Sequence, residues 1–375
     1  MREFRIDVSD KALDDLAERL RRVRWPEALP GDGWERGVPV EYLRHVVEQW
    51  KAYDWRAWEA RLNEYPQFTT RIDEQTIHLL HVRSPEPDAV PLILTHGWPG
   101  SVAEFLPVLG PLTDPASYGG DPRDAFHVVA PSVPGHGFSV PLESGWNHRR
   151  IAHAWAELMA RLGYQRYGAQ GGDTGSVVSP LLGHVDAEHV IGVRINGGLA
   201  FPSIEPGDVE QLNEVERARL AAAERLREVG TGYAELQGTR PQTVSFGLSD
   251  SPVGQLAWIL EKFWEWTDPA RALPENAVEL DHLLTDASIY WFTNTSASSA
   301  NLYYENRVAA DDPAEPSGVP TGIAVFPTDP AIRRVLERRH RIVHWSEFTR
   351  GGHFAALEAP DLLVDDIRAF FRTLR

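Results

Sequence analysis

From Val90 onward the chain alternates short apolar runs with longer amphipathic stretches. PLILTH runs into the glycine-rich turn HGWPG at 96–100, FHVVAP at 126–131 into SVPGHGFS, and RYGAQGGD at 166–173 into a third turn; VIGVRI follows at 190–195. Apolar runs of this length, ended by turn residues, predict strands buried on both faces, with helices such as 150–162 between them. From about 205 to 305 the strand signal vanishes. Residues 209–229 predict one long polar helix and 255–266 an aromatic-rich one. Strands return at GIAVFP (322–327) and RIVHWSEF (341–348), and 361–374 predict a closing helix. A strand–helix body interrupted by helices predicts an α/β sheet with a helical lid over the strand ends, where ligands bind in such sheets.

The first segment reads differently. Leu13, Leu16, Leu20 and Val23 share one face of a helix predicted over 12–23, which stops before Pro26. Residues 41–53 predict a second helix and 76–82 a strand. This stretch is too polar and too interrupted for a core of its own, so it is expected to wrap around the body. The expected organisation is an N-terminal segment over 1–84, the first part of the core over 85–204, a lid over 205–305 and the second part of the core over 306–375.

Composition narrows the chemistry. The net charge of −17 disfavours a phosphate backbone as partner, so no nucleic acid is expected. With no cysteine, disulfides, thiolate catalysis and cysteine-ligated metals are excluded. Positive charge is carried almost wholly by arginine; Lys11, Lys51 and Lys262 are the only lysines, a bias that fits a GC-rich bacterial genome. The N-terminus, MREFRIDVSD, lacks an apolar signal region, and no stretch approaches the roughly 18 continuous apolar residues of a membrane span. A cytoplasmic protein without membrane attachment is expected. Thirteen tryptophans suit either a large apolar pocket or many packed aromatic anchors.

The central motif is G-G-D-T-G at 171–175, between a predicted strand and a predicted helix. Small residues two positions either side of an acid permit the sharp strand-to-helix turn called a nucleophile elbow, here with Asp173 where serine usually stands. The exchange decides the chemistry. Serine attacking a saturated carbon would leave an ether, which water does not readily cleave. A carboxylate leaves an ester, whose carbonyl activated water attacks. Asp173 therefore points to epoxides or alkyl halides, against the plainer reading of a helix N-cap. HGWPG ends an earlier strand and suits an oxyanion hole made by the N–H groups of Trp98 and Thr174. His353, in RGGHF after the last strand, suits the general base. The acid orienting it is expected after a late strand; Asp329 in AVFPTDP fits, with Asp311, Asp312 and Glu305 as competitors.

These residues resemble the microsomal-type epoxide hydrolases, which include the juvenile hormone epoxide hydrolases and bacterial relatives. RVRWPE, YDWRAWEARLN and FTT resemble that family's N-terminal region, and HGWPGS, QGGD-x-GS, DSPVGQLAWILEKF and RGGHFAALE its hallmark stretches, so the likeness spans nearly the whole chain. The resemblance implies the α/β-hydrolase fold, no cofactor or metal, and two lid tyrosines that bind the epoxide oxygen. These match Tyr233 in GTGYAELQ and Tyr303 in NLYYEN, with Tyr304 the adjacent alternative. Three departures stand out. Thr174 replaces a common tryptophan, which keeps the N–H and makes the pocket less aromatic. The membrane anchor of vertebrate members is not expected here. Asp329 stands where some relatives have Glu.

The expected activity is conversion of a small hydrophobic epoxide, aryl or terpenoid, to a vicinal diol through an aspartyl ester, by a chain whose expected oligomer is a homodimer. A haloalkane dehalogenase would share Asp173 and His353, but Thr174 removes the usual second indole donor for the halide. A non-catalytic binding relative should show a damaged triad. A serine esterase is disfavoured because Ser176 lies three residues past the elbow.

Overall fold

The computed structural model describes residues 1–31, 33–197, 204–309 and 315–375. Its frame is a nine-stranded sheet of β1 (Arg2–Phe4), β2 (Gln67–Ile72), β3 (Gln75–Val82), β4 (Val90–Thr95), β5 (Phe126–Pro131), β6 (Tyr167–Gly171), β7 (Val190–Ile195), β8 (Pro320–Val325) and β9 (Arg341–Glu347), in the spatial order β1-β2-β3-β5-β4-β6-β7-β8-β9. From β5 to β9 all pairings are parallel. Strands of this kind must be covered on both faces. Leu92 and Leu94 pack with helices Leu106–Thr113 and Pro360–Arg372; Ile93, between them, packs with helices His148–Arg161 and Thr174–Val185.

The N-terminal segment does more than wrap. β1, β2 and β3 extend the sheet as an antiparallel edge. β2 escapes a reading of the sequence because its hairpin turn is Asp73-Glu74, both at positive φ (47° and 66°), where Asn and Gly are the usual signal. Side chains hold the turn: Arg150 Nε donates to Asp73 Oδ2 at 2.6 Å, and Arg71 donates to the Glu74 carbonyl at 2.9 Å.

Between β7 and β8 stand the helices Asp208–Gln211, Glu214–Val229, Gly232–Thr239, Pro241–Asp250, Pro252–Trp266, Leu280–Thr293 and Ser296–Ala309. The single helix expected over 209–229 is broken by a capping box. Asn213 Oδ1 accepts the Glu216 N–H and Glu216 Oε2 accepts the Asn213 N–H, both at 2.9 Å.

This helical block is fastened unequally. On one flank, Leu16, Leu20, Val46, Val47 and Trp50 of the N-terminal helices Asp10–Arg21 and Val40–Ala52 share a buried cluster with Leu256, Ile259, Phe263, Leu283 and Leu284. Trp50 Nε1 donates to Ser288 Oγ (2.9 Å), and the Tyr53 and Thr285 hydroxyls lie 2.6 Å apart. The other flank rests on a small cluster of Leu212, Ile332 and Val335 and on the ion pairs Arg219–Glu347 and Arg338–Asp208. Among the described residues no helix is long and apolar enough to cross a membrane.

Candidate active site

The turn after β6 is built around absent side chains. A Cβ on Gly175 would lie 2.1 Å from the Thr95 carbonyl oxygen, and one on Gly97 would lie 2.0 Å from Asp173 Oδ1. Asp173 itself sits at φ 50°, ψ −120°, a conformation costing a non-glycine residue on the order of 1–3 kcal/mol. It makes no side-chain cap bond to the helix it precedes. The helix-cap reading therefore fails, and the strain thrusts the carboxylate out over the ends of the parallel strands.

Three other turns converge on it. From the turn after β4, the Trp98 N–H donates to Asp173 Oδ1 at 3.0 Å, and the Thr174 N–H also favours the ionised carboxylate. From the loop after β9, His353 Nε2 lies 3.4 Å from Asp173 Oδ2. Burial opposes both charges. The Asp173–His353 pairing outweighs it, holding Asp173 below its ordinary range and His353 above. Asp329, in the loop after β8, is 4% exposed; burial pushes its carboxyl up to about 6, while the N–H groups of Phe326 (2.9 Å to Oδ2) and Gly197 and the His353 charge favour ionisation. No hydrogen bond joins Asp329 to His353, yet its charge, with that of Glu358, raises the imidazole.

Of the competing acids, Asp311 and Asp312 lie outside the described residues. Glu305 is turned elsewhere, accepting from the Gly145 N–H and the Asn301 amide. Ser176 Oγ donates to the Asp173 carbonyl at 2.6 Å, within the first helical turn.

Across the cavity stand Tyr233 and Tyr303, ring centroids 5.8 Å apart. Trp98 stacks on Tyr233 at 5.1 Å and meets Tyr303 edge-on at 6.0 Å. Burial, then the Asp173 charge, pushes the Tyr233 hydroxyl above its usual range; burial, Tyr233 and Asp173 do the same for Tyr303. Both stay protonated and able to donate. Tyr304 is 42% exposed and points away, which separates the two neighbours. The cavity, about 330 Å³, is lined by Asp173, Thr174, Val177, Leu226, Tyr233, Trp266, Leu302, Tyr303, Asp329 and His353 among others. A larger surface groove of about 880 Å³ beside helix Asp10–Arg21 contains none of the chemistry; its lining mixes arginines with acids. Five of the thirteen tryptophans, Trp50, Trp55, Trp58, Trp146 and Trp155, are packing anchors in the cores rather than pocket walls.

Some neighbours escape sequence reasoning. Lys262 Nζ, on a side chain paired with Glu261 and Glu265, lies 4.7 Å from the Tyr233 ring centroid. Glu358 Oε1 and Oε2 accept the N–H groups of Phe354 (3.0 Å) and Asp268 (2.7 Å). Both stand in the stretches ILEKF and GGHFAALE singled out above, the one signal that could have found them. Glu104 and Asp286 lie behind the nucleophile. Burial pushes Asp286 up to about 8 and Glu104 well above its ordinary range, the latter helped by the charges of Asp286 and Asp173. An acid whose pKa rises on folding costs stability as pH climbs from its unfolded value, about 4, to its folded one. The nearby His282 is held down to about 4 by burial and stays neutral over that window. Asp286→Asn should therefore gain melting temperature over wild type as pH rises from about 4 to about 8. Parallel melting curves across that range would show that Asp286 does not carry this dependence.

Comparison with known proteins agrees with this geometry. Residues 1–105 match the family model described as epoxide hydrolase N terminus, and 90–247 match that of the alpha/beta hydrolase fold. A Stigmatella aurantiaca protein with the provisional name of epoxide hydrolase is 46% identical over 99% of this chain and 85% of its own length. The Aspergillus niger epoxide hydrolase structure is 34% identical at TM-score 0.89, covering 100% of this chain and 96% of that one. The juvenile hormone epoxide hydrolase of Bombyx mori is 30% identical at TM-score 0.89, covering 100% and 94%. With the elbow, the loop histidine and whole-length likeness in agreement, the chain belongs to the epoxide hydrolase family of the α/β-hydrolase fold.

Proposed function

We propose that this enzyme opens a hydrophobic epoxide through a covalent ester on Asp173. The observation that carries the reading is the strained Asp173 carboxylate, gripped by the Trp98 N–H and paired with His353, facing two protonated phenols across an apolar cavity. Tyr233 and Tyr303 donate to the epoxide oxygen as it gains charge, and Asp173 attacks one ring carbon. His353, its charge supported by Asp329, then takes a proton from water, which attacks the ester carbonyl. The N–H groups of Trp98 and Thr174 receive the oxyanion. The acyl–oxygen bond breaks, and the two protons of the water restore the departing diol oxygen and the phenol. Val177, Leu226, Trp266 and Leu302 favour a bulky apolar substituent, such as an aryl or terpenoid group. Halide displacement is the poorer reading, because the Trp98 ring stacks on Tyr233 and residue 174 offers no indole.

The test uses styrene oxide in oxygen-18 water. First-turnover diol should carry unlabelled oxygen from Asp173, and later diol should carry label; label in the first turnover would mean direct attack by water. Tyr233→Phe and Tyr303→Phe should each slow ester formation about 10²-fold, and the double variant more. Stopped-flow ester formation unchanged in both single variants would remove the phenols from the mechanism.

A further inference from the structure

The mechanism needs a water molecule at the ester carbonyl, and the side of Asp173 remote from the phenols holds features it does not yet use. Glu104 follows the HGWPG turn, in the short helix Val102–Phe105. Among the described residues its carboxyl has no hydrogen-bond partner. The side chain keeps accessible surface although it lies deep in the protein, because that surface faces a cavity. Its Oε2 occupies space left by Gly100, where an added Cβ would come within 2.4 Å. The cavity, about 20 Å³, is bounded by Glu104, Asp173, His353, Gln170 and Asn196 among others. That is room for one water, and the lining is polar enough to hold it.

A second cavity of about 10 Å³ lies against Glu104 from the other side, with Asp286 and His282 in its wall. Asp286 is buried, and neither carboxyl oxygen finds a partner; the Ser101 hydroxyl is near enough to favour ionisation but not placed to satisfy either oxygen. Buried carboxyls without donors are rare in folded proteins, and water commonly satisfies them. Two such acids in line, ending at the nucleophile and its base, form a polar path through an otherwise apolar region.

We propose that Glu104 is the residue that positions the hydrolytic water, in the cavity it shares with Asp173 and His353, and that Asp286 holds a second water behind it. The inference rests on the ester mechanism above. One hydrogen of the water bonds to a carboxyl oxygen of the Glu104 side chain and the other faces His353 Nε2, which directs the oxygen at the ester carbon. Attack moves a proton to His353 and on to the departing diol oxygen. The second proton returns to the phenol deprotonated during ring opening, as Asp173 regains its charge.

The experiment compares Glu104→Met and Glu104→Gln in single turnovers of styrene oxide, following ester formation and decay by quenched-flow mass spectrometry. Met keeps the bulk and loses the acceptor; Gln keeps the acceptor. The ratio of ester hydrolysis to ester formation should fall about a hundredfold in Glu104→Met, a loss expected of misplaced reactants, and be largely restored in Glu104→Gln. A parallel fall of both steps, or equal ratios in the two variants, would overturn the proposal. If Glu104→Met does not fold, a high-resolution crystal structure of the unmodified enzyme decides. Ordered waters within hydrogen-bond distance of Glu104 and His353, and of Asp286, are expected; a dry site overturns it. Failure of the wild-type enzyme to form an ester at Asp173 would instead overturn the mechanism beneath.

Discussion

Asp173→Ala should abolish turnover, lowering kcat by at least about 10⁴-fold, while leaving the fold intact. The fold survives because the substitution removes a buried charge and leaves the glycine framework of the turn in place. Alanine at φ 50° is still strained, so little stability is gained from the backbone. Ser176 Oγ is no substitute nucleophile, being bonded to the Asp173 carbonyl inside the helix, and the nearby Thr174 hydroxyl would leave an ether that water does not readily cleave. Diol formation by initial rates, with circular dichroism as the folding control, checks this. Retention of even a tenth of the activity would mean that water opens the ring directly.

The second large effect separates the two halves of the reaction. His353→Gln should leave ester formation largely in place and slow ester hydrolysis by about 10³-fold or more, so one equivalent of epoxide mass accumulates on the protein. Peptide mapping should find it on Asp173. The electrostatics supply a pH dependence. In the resting enzyme the Asp173 charge helps hold His353 above its ordinary range. Ester formation discharges Asp173, so the imidazole loses that support and releases its proton at the stage where a neutral base is needed. Ester formation should fail only in strong acid, as the depressed Asp173 protonates, whereas hydrolysis should fail at higher pH, as His353 takes a proton. Rapid-quench profiles of the two steps would expose the order; coincident acid limbs would contradict it.

Much of this was legible in the chain because it is written locally. The elbow is a run of apolar residues meeting glycines at fixed offsets, and steric exclusion at Gly175 makes those offsets obligatory. β5 and β7 read directly because both faces are largely buried, leaving mainly apolar strings broken only by His127 and Arg194. What was not legible depends on distant contacts. β2 needs Arg150, 77 positions from Asp73, to hold a turn of unsuitable residues. The break at Asn213 hides in a helix-favouring stretch until its partner Glu216 is seen bonded back to it. Tyr303 and Tyr304 are equivalent as letters and opposite in space. Glu104, Lys262 and Glu358 are ordinary helix residues until the chain brings them beside Asp173, Tyr233 and His353.

The unequal fastening of the helical block separates two kinds of inheritance. The firmly clamped flank carries Trp266 and backs Tyr233 through Lys262. The lightly tied flank contributes Leu226, Gly230 and Thr231 to the cavity wall, with little buried core beneath and a few ion pairs to tie it down. Substitutions there meet weak structural resistance and leave the reacting groups where they stand. Selection can then alter which epoxides are admitted, and which ring carbon they present, while the hydrolytic machinery is passed on unchanged.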